Sequence, residues 1–275
     1  MRANKYTNFM NIAHRGFSGV QPENTLAAFK AAIEVGIKFI ECDVRFTKDR
    51  HIVVIHDRTV DRTTNGSGLV SDFSLAELKQ LDAGSWFSED STGERIPTLQ
   101  ETLSTVAGLS LISAKLVVEI KDSVYFPPIV EDVVDLVKSG GFVETVNISA
   151  FHWDVLTTVK ELEPNLKTSA LIMYQSESSE EFEEVDGALV KVYTDTEELI
   201  NDANRSNVDI ICPPARAITS SMVEQLHEAG FLVRAWGVNG KDMQEMSYLV
   251  SCGVDGMTTN YPHLLASLLE QQEVR

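Results

Sequence analysis

Ionisable side chains stand at the carboxyl ends of several apolar segments in the first half of the chain. The residues are His14 and Arg15, Glu41 and Asp43, His56 and Asp57, and Glu119 and Lys121. Ligands of α/β proteins bind beyond the carboxyl ends of parallel strands, so these positions predict an active site. Side chains two apart on a strand share a face, so Glu41 and Asp43 converge while Cys42 points away.

Three of these residues predict a metal site. Glu41, Asp43 and Glu119 offer carboxylate oxygens without a competing Cys/His cluster, and such donors suit Mg²⁺ or Ca²⁺. A divalent ion and three carboxylates sum to one negative charge, and Arg15 and Lys121 turn this sum to one positive charge. A single phosphodiester anion neutralises it. Two alternatives stay open: the carboxylates pair with Arg15, Arg45 and Lys121 without metal, or Lys121 is only a counter-ion of Glu119.

The two histidines suit the acid–base chemistry of phosphodiester hydrolysis. The reaction needs a base for the nucleophile and an acid for the leaving alkoxide, and imidazoles titrate near neutrality. We assign His14 as the base and His56 as the acid, and expect Asp57 to orient a histidine. Whether the nucleophile is water or a neighbouring glycerol hydroxyl, through a cyclic phosphate, is open at this stage.

A repeated helix–glycine–strand pattern predicts the elements that position these residues. Apolar helical segments end at Gly36, Gly140, Gly230 and Gly253, and an apolar strand follows each. Such repeats indicate parallel strands with crossover helices. They fill 275 residues without a Gly-x-Gly-x-x-Gly motif, which favours a closed (β/α)8 TIM barrel over a doubly wound sheet.

We therefore expect one barrel domain over residues 1–275, with two departures from the repeat. A small insertion of about residues 58–97 follows the second strand and overhangs the predicted site. Residues 176–195 are acidic and serine-rich, and we expect the glutamates of 180–184 to form a solvated helix face. We also expect Asn24 and Thr25 to cap the helix that begins at Leu26, with a position of Glu23 near the site as the alternative.

Composition narrows the classes of partner and compartment. The formal net charge of −18 argues against nucleic acid and anionic membrane partners. Neither a signal peptide within residues 1–10 nor a membrane span of about 18 apolar residues is visible. The three cysteines lack metal-type spacing and are expected to be reduced thiols. We expect a cytoplasmic protein with a small-molecule substrate, possible homo-oligomerisation being left open.

Short motifs along nearly the whole chain resemble those of the glycerophosphodiester phosphodiesterases. The motifs are His14-Arg-Gly, Pro22-Glu-Asn-Thr, Glu41-Cys-Asp-Val, Thr47-Lys-Asp, His56-Asp, Asp61-Arg-Thr-Thr-Asn-Gly-Ser-Gly, Leu81-Asp-Ala-Gly-Ser-Trp-Phe, Ile96-Pro-Thr-Leu, Val118-Glu-Ile-Lys and Thr259-Asn-Tyr-Pro. The resemblance implies a TIM barrel with a small insertion. It also implies metal-dependent hydrolysis of glycerophosphodiesters to an alcohol and sn-glycerol 3-phosphate.

The resemblance also implies residue roles, by motif position. The acid–base pair would be His14 and His56, the metal ligands Glu41, Asp43 and Glu119, and the phosphate contacts Arg15 and Lys121. Trp236 is the candidate apolar wall for the glycerol or head group, with a plain core position as the alternative. Phe151, Tyr125 and Tyr261 are weaker candidates of the same kind. The chain has Trp236-Gly-Val-Asn where the family usually shows Trp-Thr-Val-Asn, and residues 176–195 match poorly.

Two other functions stay open at this stage. One is a phosphodiesterase of the same superfamily that acts on lysophospholipids or phosphoinositides, which a greasy pocket mouth would favour. The other is a non-catalytic barrel that binds a phosphodiester. Such a barrel predicts the loss of an acid–base or metal position, yet all of these positions are present.

Overall fold

The structure is a computed structural model of the chain, and it describes residues 6, 8–109, 114–121, 127–175, 182–185 and 188–273. Its strands are β1 Met10–Ala13, β2 Phe39–Phe46, β3 Ile52–Val54, β4 Lys115–Ile120, β5 Val146–Ala150, β6 Lys167–Leu171, β7 Met173–Tyr174, β8 Phe182–Val185, β9 Ala188–Tyr193, β10 Ile210–Cys212, β11 Leu232–Ala235 and β12 Gly256–Thr259. Its α-helices are α1 Leu26–Glu34, α2 Leu75–Leu78, α3 Leu99–Leu109, α4 Ile129–Ser139, α5 Trp153–Leu162, α6 Thr196–Arg205, α7 Ser220–Glu228, α8 Met243–Cys252 and α9 Pro262–Glu273.

Eight parallel strands close into a barrel. Their order is β1-β12-β11-β10-β6-β5-β4-β2, and pairing of β1 with β2 completes the ring. A helix follows each of these strands along the chain, so the predicted (β/α)8 TIM barrel is confirmed. Of the glycines that were predicted to end helices, Gly36, Gly230 and Gly253 have left-handed backbones, with φ 82°, 92° and 90°. After α4 the left-handed residue is Gly141, because Gly140 keeps a right-handed conformation with φ −80°.

Alternation along each barrel strand divides the side chains into two sets. On β2, Ile40, Cys42 and Val44 are fully buried in the large apolar cluster between strands and helices. The opposite face points into the barrel, where Met10, Ile12 and Val117 belong to a separate apolar cluster. This cluster fills the barrel interior, and the ionisable residues lie on the same face nearer the carboxyl ends of the strands.

β3 is not one of the parallel barrel strands. It runs antiparallel to the end of β2, pairing Val44 with Val54 and Phe46 with Ile52. The turn between them uses Arg50 in a left-handed conformation with φ 62°. The expectation that the apolar segment before His56 is a parallel strand is therefore wrong. A hairpin folds this segment back onto β2 instead.

Residues between β3 and α3 have a small core of their own. Val53, Ile55, Val60, Val70, Leu78, Ala83 and Ile96 form an apolar cluster distinct from that of the barrel. The short helix α2 begins with a capping box, in which Ser74 and Glu77 each accept a hydrogen bond from the other's backbone N–H. The insertion thus contributes a compact structure above β2, on the side that carries Glu41 and Asp43.

A second small sheet follows β6. β9 pairs in parallel with β7 and in antiparallel with β8. The predicted helix face is wrong for residues 182–185, because exposure there alternates with period two and Phe182–Val185 is a strand. Residues 180 and 181 of that prediction lie outside the described residues. Across the described ranges, none of the helices has the length and apolarity needed to cross a bilayer.

Candidate active site

Three carboxylates meet at the carboxyl ends of neighbouring strands. Asp43 on β2 is in register with Glu119 on β4, and Glu41 lies two residues before Asp43 on the same face. One ligand oxygen from each residue lies within 4.8 Å of the other two. Glu41 and Asp43 are almost fully buried, at 4% and 1% exposure. Like charges this close repel each other in a buried site, so the cluster requires cations.

Two basic side chains supply part of that compensation. The Lys121 ammonium lies 2.5 Å from Glu119 Oε1 and 3.4 Å from Asp43 Oδ1. Arg15 Nε lies 3.3 Å from Asp43 Oδ2. Burial acts to raise the pKa of Asp43, yet Lys121 and Arg15 outweigh it and hold that pKa well below its usual range. Burial, together with Asp43 and Glu119, raises the pKa of Glu41 well above its usual range.

The cluster fits a hard divalent cation. Glu41 Oε1 and Asp43 Oδ1 are buried oxygens without a hydrogen-bond partner, although buried acceptors are normally satisfied. The atoms that the cluster offers to a metal are all carboxylate oxygens, and Mg²⁺ and Ca²⁺ prefer oxygen ligands. A bound cation would coordinate both of these oxygens and offset the charge that raises the pKa of Glu41.

The loop after β1 holds Asp43 and Glu41 in place. Arg15 and Asn24 both adopt left-handed backbones, with φ 54° and 57°. The Arg15 backbone N–H donates to Glu41 Oε2 at 2.8 Å. Asn24 Nδ2 donates to Asp43 Oδ2 at 2.9 Å, and the Asp43 N–H donates to Asn24 Oδ1 at 3.3 Å. Thr25 alone caps α1, so the predicted capping role of Asn24 is wrong.

His14 is held by a residue from the other end of the chain. Its Nδ1 lies 2.6 Å from Asn260 Oδ1. Burial and the charge of Arg15 lower the pKa of His14 to about 4. The ring is therefore neutral at neutral pH, and Nδ1 carries the proton that it donates to the Asn260 oxygen. The lone pair of Nε2 is left available to accept a proton.

His56 is held by a carboxylate. Its Nδ1 lies 2.7 Å from Asp57 Oδ1, and the His56 carbonyl accepts a hydrogen bond from Arg45 Nε at 2.7 Å. Arg45 is fully buried on β2, on the face shared by Glu41 and Asp43. Burial opposes ionisation of Asp57, yet Arg62 and His56 lower its pKa to about 2. The carboxylate that contacts His56 is therefore charged at neutral pH.

A chain of ion pairs connects the two sides of the mouth. Arg62 from the insertion binds Asp57 through Nε at 2.7 Å, and its Nη1 and Nη2 each donate to Glu23 at 2.8 Å. Glu23 also accepts from Arg15 Nη1 at 2.7 Å. Asp57, Arg62, Glu23 and Arg15 thus form one network. Its sequence signals were Pro22-Glu-Asn-Thr and Asp61-Arg, which the prediction of site residues did not use.

Trp236 lies directly after β11, at the same rim. Its indole Nε1 donates to the Ile172 carbonyl at 3.2 Å, and its ring makes an edge-to-face contact with Phe151 at 5.4 Å between centroids. A cavity of about 360 Å³ begins at Phe151 and Ile172 and extends between the β8–β9 hairpin, α5 and α6. Phe151 thus contacts Trp236 and also lines this cavity. Tyr125, a weaker candidate for a similar wall, lies outside the described residues.

The comparisons with known proteins agree with this geometry. A profile of the glycerophosphoryl diester phosphodiesterase family matches residues 14–264. The chain belongs to this family. A glycerophosphodiester phosphodiesterase of Caldanaerobacter subterraneus subsp. tengcongensis is 39% identical over 261 residues, which cover 94% of this chain and 97% of that relative. One from Bacillus subtilis (strain 168) is 32% identical, over 93% of this chain and 84% of the relative.

Solved structures extend the likeness to three dimensions. A phosphodiesterase of Oleispira antarctica, solved with the product sn-glycerol-3-phosphate, has a TM-score of 0.79 and 27% identity, over 94% of this chain and 96% of that one. A glycerophosphodiester phosphodiesterase of Agrobacterium tumefaciens str. C58 has a TM-score of 0.71 and 26% identity, over 93% and 98% of the two chains. The predicted membership of this enzyme family is confirmed.

Proposed function

We propose that the protein hydrolyses glycerophosphodiesters to an alcohol and sn-glycerol 3-phosphate, with a divalent cation held by Glu41, Asp43 and Glu119. The observation that carries the proposal is the carboxylate cluster, with two buried oxygens that accept no hydrogen bond, at a mouth that also holds two oriented histidines. Family membership supports the reaction class, and the product in the Oleispira antarctica structure supports a small-molecule substrate. When bound, the cation supplies Lewis-acid stabilisation of charge developing on the phosphoryl oxygens.

The two histidines then act as base and acid. His14 is neutral, with a pKa of about 4 and a free Nε2, so it removes the proton from the attacking hydroxyl, whether of water or of the substrate's glycerol. The new P–O bond forms as the P–O bond to the leaving alcohol breaks. If the glycerol hydroxyl attacks, the product of this step is a cyclic phosphate; water then attacks its phosphorus and a ring P–O bond breaks, which gives sn-glycerol 3-phosphate. His56, whose ring is oriented by the Asp57 carboxylate 2.7 Å from Nδ1, donates a proton to the leaving oxygen.

Arg15 and Lys121 bind the phosphate in this proposal. Lys121 Nζ lies among the carboxylates, and Arg15 is fixed by Glu23 and Asp43, so both cations are oriented before substrate arrives. Preorganised charges at a buried site stabilise a transition state without reorganisation cost. Trp236 forms the apolar wall against the carbon skeleton of the substrate.

Replacing either histidine tests the proposal. His14→Ala and His56→Ala should each lower turnover of glycerophosphocholine by about 100-fold or more, because each removes one proton transfer. Far-UV circular dichroism and calorimetric Ca²⁺ binding should stay close to those of the wild type, because neither ring belongs to the carboxylate cluster. Near-normal turnover in either variant would remove that histidine from the mechanism.

The cavity favours a second candidate activity, on lysophospholipids. Phe182 and Leu189 are 48% and 69% exposed at the entrance of the cavity, and apolar side chains this exposed beside a cavity suit an acyl chain. This activity would release choline from lysophosphatidylcholine. Replacing both residues by Ser should then lower that release by about tenfold, since roughly two apolar side chains lose contact with the chain. Absence of choline release by the wild type would discard this candidate.

A further inference from the structure

An arginine inside the barrel has no carboxylate partner among the residues that the structure describes. Arg234 is on β11, two residues before Trp236, and is only 2% exposed. Its neighbours Val233 and Ala235 pack against the helices, so the Arg234 side chain points into the barrel. Of the polar residues predicted or observed to form the site, none is on β11 itself. Arg234 therefore has no part in the site as described so far.

The contacts of Arg234 leave its charge uncompensated locally. Its Nη2 donates to Ser149 Oγ on β5 at 3.3 Å, and its Nε is buried without a hydrogen-bond partner. Within the described ranges, Arg234 makes no ion pair with a carboxylate. A guanidinium keeps its proton under all ordinary conditions, so it is a permanent buried charge. Burying such a charge is costly unless other charges offset it.

The acidic cluster is a source of compensation, because Arg234 reaches the strand next to Glu119. Ser149, which accepts the guanidinium hydrogen bond, is in register with Glu119 on the neighbouring strand. Cys212 inside the barrel forms a side-chain hydrogen bond with Arg234. The Arg234 side chain thus reaches across the barrel from β11 to β5, where Ser149 is in register with Glu119.

We propose that Arg234 is a positioning residue that acts on the acidic cluster through its charge. This charge strengthens binding of a doubly charged phosphate at the site and weakens binding of the cation. This inference rests on the proposed function. The carboxylates, a divalent cation, Arg15 and Lys121 sum to one positive charge. Arg234 makes the sum two positive charges. The phosphodiester substrate is a monoanion, whereas its pentacovalent transition state, after attack by a deprotonated hydroxyl, and the ionised product are dianions. Arg234 therefore matches the site to the dianions.

The proposal predicts changes of opposite sign when the charge is removed. A carboxylate cluster attracts a cation less strongly when another positive charge lies nearby, and this effect is strong at the low dielectric constant of a protein interior. In Arg234→Met, Ca²⁺ should bind about tenfold more tightly, and inhibition by sn-glycerol 3-phosphate should weaken about tenfold. Arg234→Lys keeps the charge, so both affinities should stay within about threefold of those of the wild type.

Two controls separate this role from a structural one. Ser149→Ala removes the hydrogen bond and keeps the charge, so it should leave Ca²⁺ affinity and product inhibition near their wild-type values. Arg234→Gln is a second neutral variant that can still bond Ser149, and it should reproduce the effects of Arg234→Met. Melting temperatures report whether each variant folds.

The measurements are calorimetry of Ca²⁺ binding to each metal-free protein and product inhibition of glycerophosphocholine hydrolysis. Weaker binding of both ligands in the neutral variants, or no change in either, would overturn the proposal. So would failure of both neutral variants to fold, since the guanidinium would then be a structural requirement. The calorimetric part needs no turnover. An inactive wild type would therefore refute the proposed function and leave the effect of Arg234 on cation affinity measurable.

Discussion

At the scale of single residues, two adjacent residues of one turn have different structural roles. Asn24 and Thr25 both precede α1, and both residue types are common at helix N-termini. Thr25 Oγ1 accepts the Ala28 N–H and caps the helix. Asn24 turns away with a left-handed backbone, and its side-chain amide forms two hydrogen bonds with Asp43. The residue that contacts a candidate metal ligand is thus set by backbone conformation as well as by type.

This difference predicts separable effects of two alanine substitutions. Asn24→Ala should weaken Ca²⁺ binding by roughly 10–100-fold, because it removes the partners that orient Asp43. Thr25→Ala, its matched control, should lower the free energy of unfolding by about 1 kcal/mol through the lost cap. Ca²⁺ affinity should be unchanged there. Calorimetry and urea denaturation measure the two effects. Equal loss of Ca²⁺ affinity in both variants would contradict the assignment of Asn24 to Asp43.

At the scale of elements, the insertion depends on turns that a single carboxylate organises. Asp82 Oδ1 accepts the Gly84 and Ser85 N–H groups at 2.8 and 2.7 Å, and its Oδ2 accepts the Gly93 N–H at 2.8 Å. These backbone hydrogen bonds lower the pKa of Asp82 to about 2. The ionised side chain therefore joins both ends of the segment that includes Trp86 and the 3-10 helix Glu89–Ser91.

The lowered pKa predicts how stability depends on pH. A carboxyl group with a depressed folded-state pKa stabilises the fold above its unfolded value, near 3.9, and that contribution is lost as pH falls through about 2. Asp82→Asn should cost about 1 kcal/mol of unfolding free energy at pH 7 and should flatten the acid side of the stability curve. Asp90→Asn, an exposed carboxylate of the same turn, should do neither. Urea denaturation at several pH values would show this, and equal effects of the two substitutions would refute it.

The sequence predicted those elements whose signal is local. Alternation placed Glu41 and Asp43 on one face, and glycines marked the ends of helices that precede barrel strands. Strand direction was not predictable for β3, because an apolar run of three residues is the same in either direction. β8 was mistaken for a helix because its glutamates suggested a solvated face, whereas pairing with β9 fixes its conformation.

At the scale of the whole molecule, the site depends on contacts between distant parts of the chain. His14 meets Asn260, which is 246 positions away, because β1 and β12 are neighbours in the closed barrel. Arg62 from the insertion meets Glu23, and Arg234 reaches Ser149 across the barrel. Motif resemblance could point to the individual candidate residues. The network that orients them could not be read from the sequence, because it forms only when the barrel and the insertion are assembled.

The net charge of the whole molecule makes the proposed cation necessary for binding an anionic substrate. With a formal net charge of −18, the protein repels an anionic substrate unless cations reverse the potential at the mouth. The measurement that tests this most directly is release of sn-glycerol 3-phosphate from glycerophosphocholine and glycerophosphoethanolamine, first in EDTA and then with Mg²⁺ or Ca²⁺ restored. We expect no release of sn-glycerol 3-phosphate in EDTA, and recovery of the release with at least one of the two metals. Full activity in EDTA, or a folded protein that stays inactive with either metal, would contradict this expectation.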